Sequence, residues 1–144
     1  MDDVLSATLG SSRPLDVSTP PRVLVADDED DIRALVCLAV TRAGGAVVGA
    51  VADGTTALAA ARRELPDLAV LDVSMPGATG LEVCTALRND PATASIRVLL
   101  LSAGASVDDV ARGLAAGADA YLAKPFRVAG LVHQVRVLTV GQLA

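Results

Sequence analysis

The sequence predicts an α/β fold, a parallel β-sheet with helices on both faces. Three observations carry that expectation. Short apolar runs alternate with stretches of helical periodicity five times between Arg22 and Thr139. The runs, such as Leu68-Ala69-Val70-Leu71 and Val98-Leu99-Leu100-Leu101, are apolar at successive residues, as suits strands covered on both sides. Four of them end on polar residues: Asp27-Asp28, Asp72, Ser102 and Lys124. A charge is costly inside such a strand and cheap at its C-terminal mouth, where ligands bind in open α/β sheets.

Residues 1 to 21 contain Ser11, Ser12, Pro14, Ser18, Thr19, Pro20 and Pro21 with little periodicity, and are expected to be a flexible lead-in. Residues 22–144 are expected to form one folded domain. The first strand is Arg22-Val23-Leu24-Val25-Ala26, ending on Asp27-Asp28. A helix follows with Ile32, Leu35, Val36, Ala39 and Val40 on its inner face. Glu29 and Asp30 suit its positive N-terminal end, and Gly44-Gly45 stops it. Ala46 to Ala52 reads as a second buried strand. Asp53 then caps a helix through Ala57, Leu58, Ala61 and Leu65, ended by Pro66.

The Asp72 strand comes next and breaks at Pro76-Gly77, since Pro fixes φ and Gly frees it. A third helix, from about Thr79 to Arg88, should bury Leu81, Cys84 and Leu87 before Asn89-Asp90-Pro91 closes it. Arg97 to Ser102 is the fourth strand. The helix after it carries Val107, Val110, Ala111 and Leu114 and ends at Gly117. The fifth strand runs from Asp119 to Pro125, and a last helix carries Val128, Leu131, Val132, Val135 and Leu138. Gly130 within it costs about 1 kcal/mol relative to Ala.

Right-handed crossovers turn this alternation into a doubly wound sheet. Five strands suit the flavodoxin-like order 2-1-3-4-5, which makes the first and third strands neighbours at the topological switch point. Asp27, Asp28 and Asp72 then share one mouth, with Ser102 and Lys124 facing it.

Composition narrows the function. Of 144 residues 52% are hydrophobic, with one Tyr, one Phe and no Trp, so the core must be aliphatic. A net charge of −5 disfavours direct binding to nucleic acid or to an anionic membrane. No apolar run approaches the ~20 residues needed to span a bilayer, and Met1-Asp2-Asp3 lacks the basic start of a signal peptide. Cys37 and Cys84, each on the apolar side of a helix, read as small buried thiols in a reducing cytoplasm.

Three carboxylates at one point repel one another, which a raised pKa or a bound cation relieves. Hard oxygen ligands with room for water and phosphate oxygens describe a Mg²⁺ site. Lys124 adds a positive charge, held extended before Pro125, and Ser102 adds a hydroxyl. Such a set makes a phosphoryl acceptor in which Asp72 attacks phosphorus while Lys124, Ser102 and the cation meet its oxygens.

These residues resemble a known family. Asp27-Asp28-Glu29, Leu71-Asp72-Val73-Ser74-Met75-Pro76-Gly77, Leu101-Ser102-Ala103 and Tyr121-Leu122-Ala123-Lys124-Pro125-Phe126 match, in order, the four motifs of the bacterial two-component response-regulator receiver domain. The similarity runs from about Pro21 to Thr139, making residues 22–144 the receiver domain. It implies that Asp72 is the phosphoryl acceptor, and that Asp28 is a direct Mg²⁺ ligand with Asp27 helping through water. The main-chain carbonyl of Ser74 would complete the set. It further implies that Lys124 pairs with the phosphoryl group, that Ser102 swings in to bond it, and that Tyr121 turns inward into the space Ser102 leaves. The implied donor is a sensor histidine kinase or a phosphotransfer protein. The reader would be a downstream protein or an effector domain missing from this chain. Arg127, Gly130 and Leu131 depart from the acidic residue and Glu-Leu pair often found in the last helix, and a homodimer is left open.

Plainer roles compete. Asp27 and Asp28 taken alone are N-cap residues more often than metal ligands. Tyr121 could be static packing, His133 a surface or boundary histidine, and Asp108-Asp109 a cap and solvated first turn. A Mg²⁺-dependent phosphohydrolase using an aspartyl phosphate is the alternative function. Such enzymes typically carry Asp-x-Asp and a cap insertion, against adjacent Asp27-Asp28 and short loops here. A flavin-binding module needs a neutral phosphate loop where Asp27-Asp28-Glu29-Asp30-Asp31 stands.

Overall fold

The computed structural model describes residues 19–104 and 106–140. The lead-in expected over residues 1 to 21 therefore lies outside the described residues except for its last three. Ten elements alternate: β1 (Arg22–Ala26), α1 (Asp30–Arg42), β2 (Ala46–Val51), α2 (Gly54–Glu64), β3 (Leu68–Asp72), α3 (Gly80–Arg88), β4 (Arg97–Ser102), α4 (Val107–Ala115), β5 (Ala120–Ala123) and α5 (Val128–Thr139). The strands pair in parallel in the order β2-β1-β3-β4-β5, the doubly wound order expected.

Because successive residues of a strand point to opposite faces, each central strand feeds two cores. On one face Leu24, Ala69, Leu71, Val98 and Leu100 pack with Ala57, Ala60 and Ala61 of α2 and Val83, Cys84 and Leu87 of α3. On the other, Val23, Val25, Val70, Leu99 and Leu101 pack with Val36, Ala39 and Val40 of α1 and Leu131, Val135 and Leu138 of α5. The register aligns Val25 with Val70 and Val70 with Leu99. Both faces of β1, β3 and β4 are thus sealed, and their C-terminal ends are where polar side chains reach solvent.

The loop after β3 bends through Gly77 at φ +81°, a left-handed conformation that glycine adopts without a Cβ penalty. The Pro76 carbonyl there accepts from the Gly54 N–H at 3.0 Å, tying the loop to the start of α2. Asp53 caps α2 through the Thr56 N–H at 2.7 Å. Thr79 and Glu82 close a reciprocal capping box on α3, at 3.1 and 2.9 Å.

Several burial expectations need correction. β2 is an edge strand, half-buried along most of its length and not a buried one. Leu65 is 51% exposed at φ 47°. The following proline disfavours the right-handed helical region for it, so the chain turns left-handed and the side chain points outward. Cys37 is half-buried, whereas Cys84 is fully buried. On α3 the buried set is Gly80, Val83, Cys84 and Leu87, with Leu81 only half-buried. The largest departure is α4. Of its expected inner stripe, Val107 is 85% and Leu114 52% exposed, Ala111 is exposed, and Gly113 is the buried residue. Helical periodicity marks a stripe but not what covers it, and α4 rests on β5, a four-residue edge strand. Among the described residues no helix is long and apolar enough to cross a membrane.

Candidate functional site

Asp27 follows β1 and is fully buried. Its N–H donates to the Val51 carbonyl at 3.1 Å, fixing it to the neighbouring strand. One carboxylate oxygen, Oδ1, accepts from the Glu29 N–H at 2.9 Å, an Asx-type turn that leads the chain into α1 without capping it. The other, Oδ2, faces Lys124. Asp28 beside it is exposed.

Asp72 ends β3, 4% exposed. The next residue, Val73, still donates to the Leu101 carbonyl at 2.8 Å, so the strand pairing holds beyond the carboxylate. The Ser74 N–H approaches Asp72 Oδ1 at 3.4 Å. Lys124 leaves β5 with its N–H bonded to the Ser102 carbonyl at 2.7 Å, and the Lys124–Pro125 peptide bond is cis. Its Nζ lies 3.0 Å from Asp27 Oδ2, 3.3 Å from Asp72 Oδ1 and 3.4 Å from Glu29 Oε1. Three carboxylates therefore surround one ammonium.

Oxygens of Asp27, Asp28 and Asp72 all lie within 4.8 Å of one another. The electrostatics show the strain of that arrangement. Burial first, and the Asp27 charge second, push the Asp72 carboxyl up to about 6, against the pull of Lys124 and the Ser74 N–H. Burial works against the Lys124 charge as well. Its hydrogen bond to Asp27 and the two aspartate charges outweigh that and hold its pKa above the usual lysine value. One ammonium thus leaves Asp72 partly uncompensated, and a hard divalent cation fits the remaining demand. The hollow above holds about 280 Å³ and is lined by Asp28, Glu29, Asp72, Ser74, Ala103 and Lys124.

The expected residues do not all meet there. Asp27, Asp28, Asp72, Ser74 and Lys124 come together. Ser102 and Tyr121 line a neighbouring cavity of about 170 Å³ with Val73, Leu81, Asp109 and Arg112. Ser102 Oγ accepts from the Gly104 N–H at 3.0 Å, and the Gly104 carbonyl accepts from the Tyr121 hydroxyl. Ser102 and Tyr121 therefore hold the two successive peptide units that flank the Gly104 Cα. Glu29 also reaches the site, although in the sequence it stands as a first-turn acid and the end of the Asp27-Asp28-Glu29 motif, with no site role of its own. Its place after Asp27-Asp28 was the available signal, but its contact with Lys124 spans 95 residues. His133 is exposed, as is Asp108, while Asp109 joins the Ser106 cap of α4 and pairs with Arg112.

This geometry can be set beside known proteins. The family model described as the response regulator receiver domain matches residues 23–136. The chain belongs to that family. Over 123 residues the receiver is 47% identical to the transcriptional regulatory protein PrrA of Mycobacterium tuberculosis, a match covering 83% of this chain and 50% of that one. The chain spans about half the length of the curated relatives it matches. Among solved structures, the chemotaxis response regulator CheY4 of Vibrio cholerae superposes with a TM-score of 0.77 at 34% identity, covering 83% of the receiver and 99% of CheY4. The BeF3-activated DrrB receiver domain superposes with a TM-score of 0.76 at 27% identity, covering 85% and 99%. A receiver domain of a two-component system is therefore the established frame for this site.

Proposed function

We propose that residues 22–144 form a phosphorylation switch in which Asp72 accepts a phosphoryl group from a phosphohistidine on a sensor histidine kinase or phosphotransfer protein. The observation that carries this reading is the convergence of Asp27, Asp28 and Asp72 oxygens within 4.8 Å, with Lys124 Nζ 3.3 Å from Asp72 Oδ1. A carboxylate oxygen of Asp72 forms the new bond to phosphorus as the nitrogen–phosphorus bond of the donor breaks. The leaving electron pair stays on the imidazole nitrogen. Lys124 is already within reach of Asp72 and turns its charge to the phosphoryl oxygens. Asp27, Asp28, Asp72 and the Ser74 carbonyl would hold a Mg²⁺ ion, which when bound supplies positive charge to those same oxygens.

Ser102 and Tyr121 then carry the change outward. As the Ser102 side chain turns to the phosphoryl group it lets go of the Gly104 N–H, and Gly104 is the residue whose carbonyl Tyr121 holds. The face made by α4, β5 and α5 changes, and a partner reads that as a difference in affinity. That partner is a downstream protein or an effector domain. A Mg²⁺-dependent phosphohydrolase remains the chemical rival, but the shallow hollow at Asp72 offers little to enclose a small substrate.

Incubation with a small-molecule phosphodonor and Mg²⁺ should label the wild-type chain and leave Asp72→Asn unlabelled. Undiminished labelling of Asp72→Asn would move the acceptor elsewhere. The phosphoryl group should also be slow to hydrolyse. Ser74 lines the hollow and Gly104 follows Ser102 by two residues, and neither brings a carboxylate or amide to orient water. A phosphoryl lifetime of seconds would contradict this.

A further inference from the structure

We propose that Gly113, in the middle of α4, is the positioning residue that makes the slot for the Tyr121 ring and so ties helix α4 to the position of that side chain. The inference rests on the reading of Tyr121 as a switch and adds the element that receives its motion. Glycine is the poorest helix former after proline, so its presence inside α4 calls for a reason. The reason is proximity. A Cβ at position 113 would lie 2.9 Å from Tyr121 Cδ2, 3.3 Å from Cε2 and 3.1 Å from Leu100 Cδ1. Gly113 is also the buried residue of a helix whose other apolar residues are exposed or half-buried.

The Tyr121 ring is the closer obstacle, since at 2.9 Å it must shift, whereas Leu100 Cδ1 at 3.1 Å need yield only a few tenths of an ångström. Tyr121 has room to do so, because it is half-buried and lines the 170 Å³ cavity beside Ser102. A methyl group at position 113 therefore either lifts α4 from the sheet or drives the ring out of its slot. Moving the ring withdraws the phenol hydroxyl from the carbonyl of Gly104, the residue whose N–H bonds Ser102 Oγ. Gly113 touches none of Asp27, Asp28, Asp72 or Lys124, so its substitution acts on the slot and leaves the acidic site alone.

Tyr121 is the single tyrosine in a chain without tryptophan, so its fluorescence reports one side chain. In Gly113→Ala, acrylamide quenching of Tyr121 should rise above wild type while Mg²⁺ titration and phosphodonor labelling stay unchanged. A double-mutant cycle then separates the slot from general helix stability. In a Tyr121→Ala background, Gly113→Ala should raise the folded-to-unfolded ratio about fivefold, the ordinary gain of alanine over glycine in a helix. In the presence of Tyr121 that gain should vanish or reverse. Unchanged quenching, or the same gain in both backgrounds, overturns the proposal. The cycle is measured without a phosphoryl donor, so its failure is distinct from failure of the Asp72 acceptor reading, which the Asp72→Asn labelling tests. Should Gly113→Ala fail to fold, rescue by Tyr121→Ala supports the slot and absence of rescue refutes it.

Discussion

Asp72 carries two opposed demands. It must be ionised to attack phosphorus or hold a cation, yet burial and Asp27 favour its neutral form and push its pKa up to about 6. An unfolded aspartate releases its proton near pH 4. Between about pH 4 and 6 the folded metal-free chain thus binds more protons than the unfolded one, so the contribution of Asp72 to stability falls as the pH rises through that window. Thermal unfolding in chelator should show this loss. Mg²⁺ should reverse it above pH 6, because binding to the ionised native site stabilises that state by mass action. A stability profile that is level from pH 4 to 6 in chelator would remove the strained acid from the account. At this scale the acids and Lys124 were legible, since each sits where an apolar run ends. The partner of Lys124 was not. Three carboxylates compete for it, and only the fold brings Glu29 to within 3.4 Å.

Helix and strand boundaries follow local chemistry closely, and burial does not. Asp53, Thr79 and Ser106 cap α2, α3 and α4, each through a side-chain oxygen that meets a free N–H of the first turn. The stripe of α4 was equally legible, and yet most of it faces solvent, because periodicity reports a helix and not its neighbours. Leu65 makes the same point at a helix end. Its left-handed φ of 47° suits glycine, and with 51% of it exposed there is little burial to lose. Leu65→Gly should therefore raise stability by a few tenths to about 1 kcal/mol in urea denaturation. A lower stability would mean that the contacts of the leucine outweigh its backbone strain.

For the whole molecule, stability resides in the two cores that the central strands share. Leu99 is fully buried among α1, α5 and the neighbouring strands. Leu99→Ala should cost about 2–5 kcal/mol. Val107→Ser, at a position 85% exposed, should stay within about 0.5 kcal/mol. Comparable losses at both positions, measured by chemical denaturation, would show that α4 is covered in solution. The sequence by itself determined the order of elements, the parallel sheet and the residues at the strand ends. Those follow from periodicity, caps and the cost of a charge within an apolar run, all of them local. Tertiary structure alone decided how little covers α4, how Lys124 divides itself among three carboxylates, and why α4 needs a glycine against Tyr121. These depend on distances between residues far apart in the chain, and no local pattern encodes them.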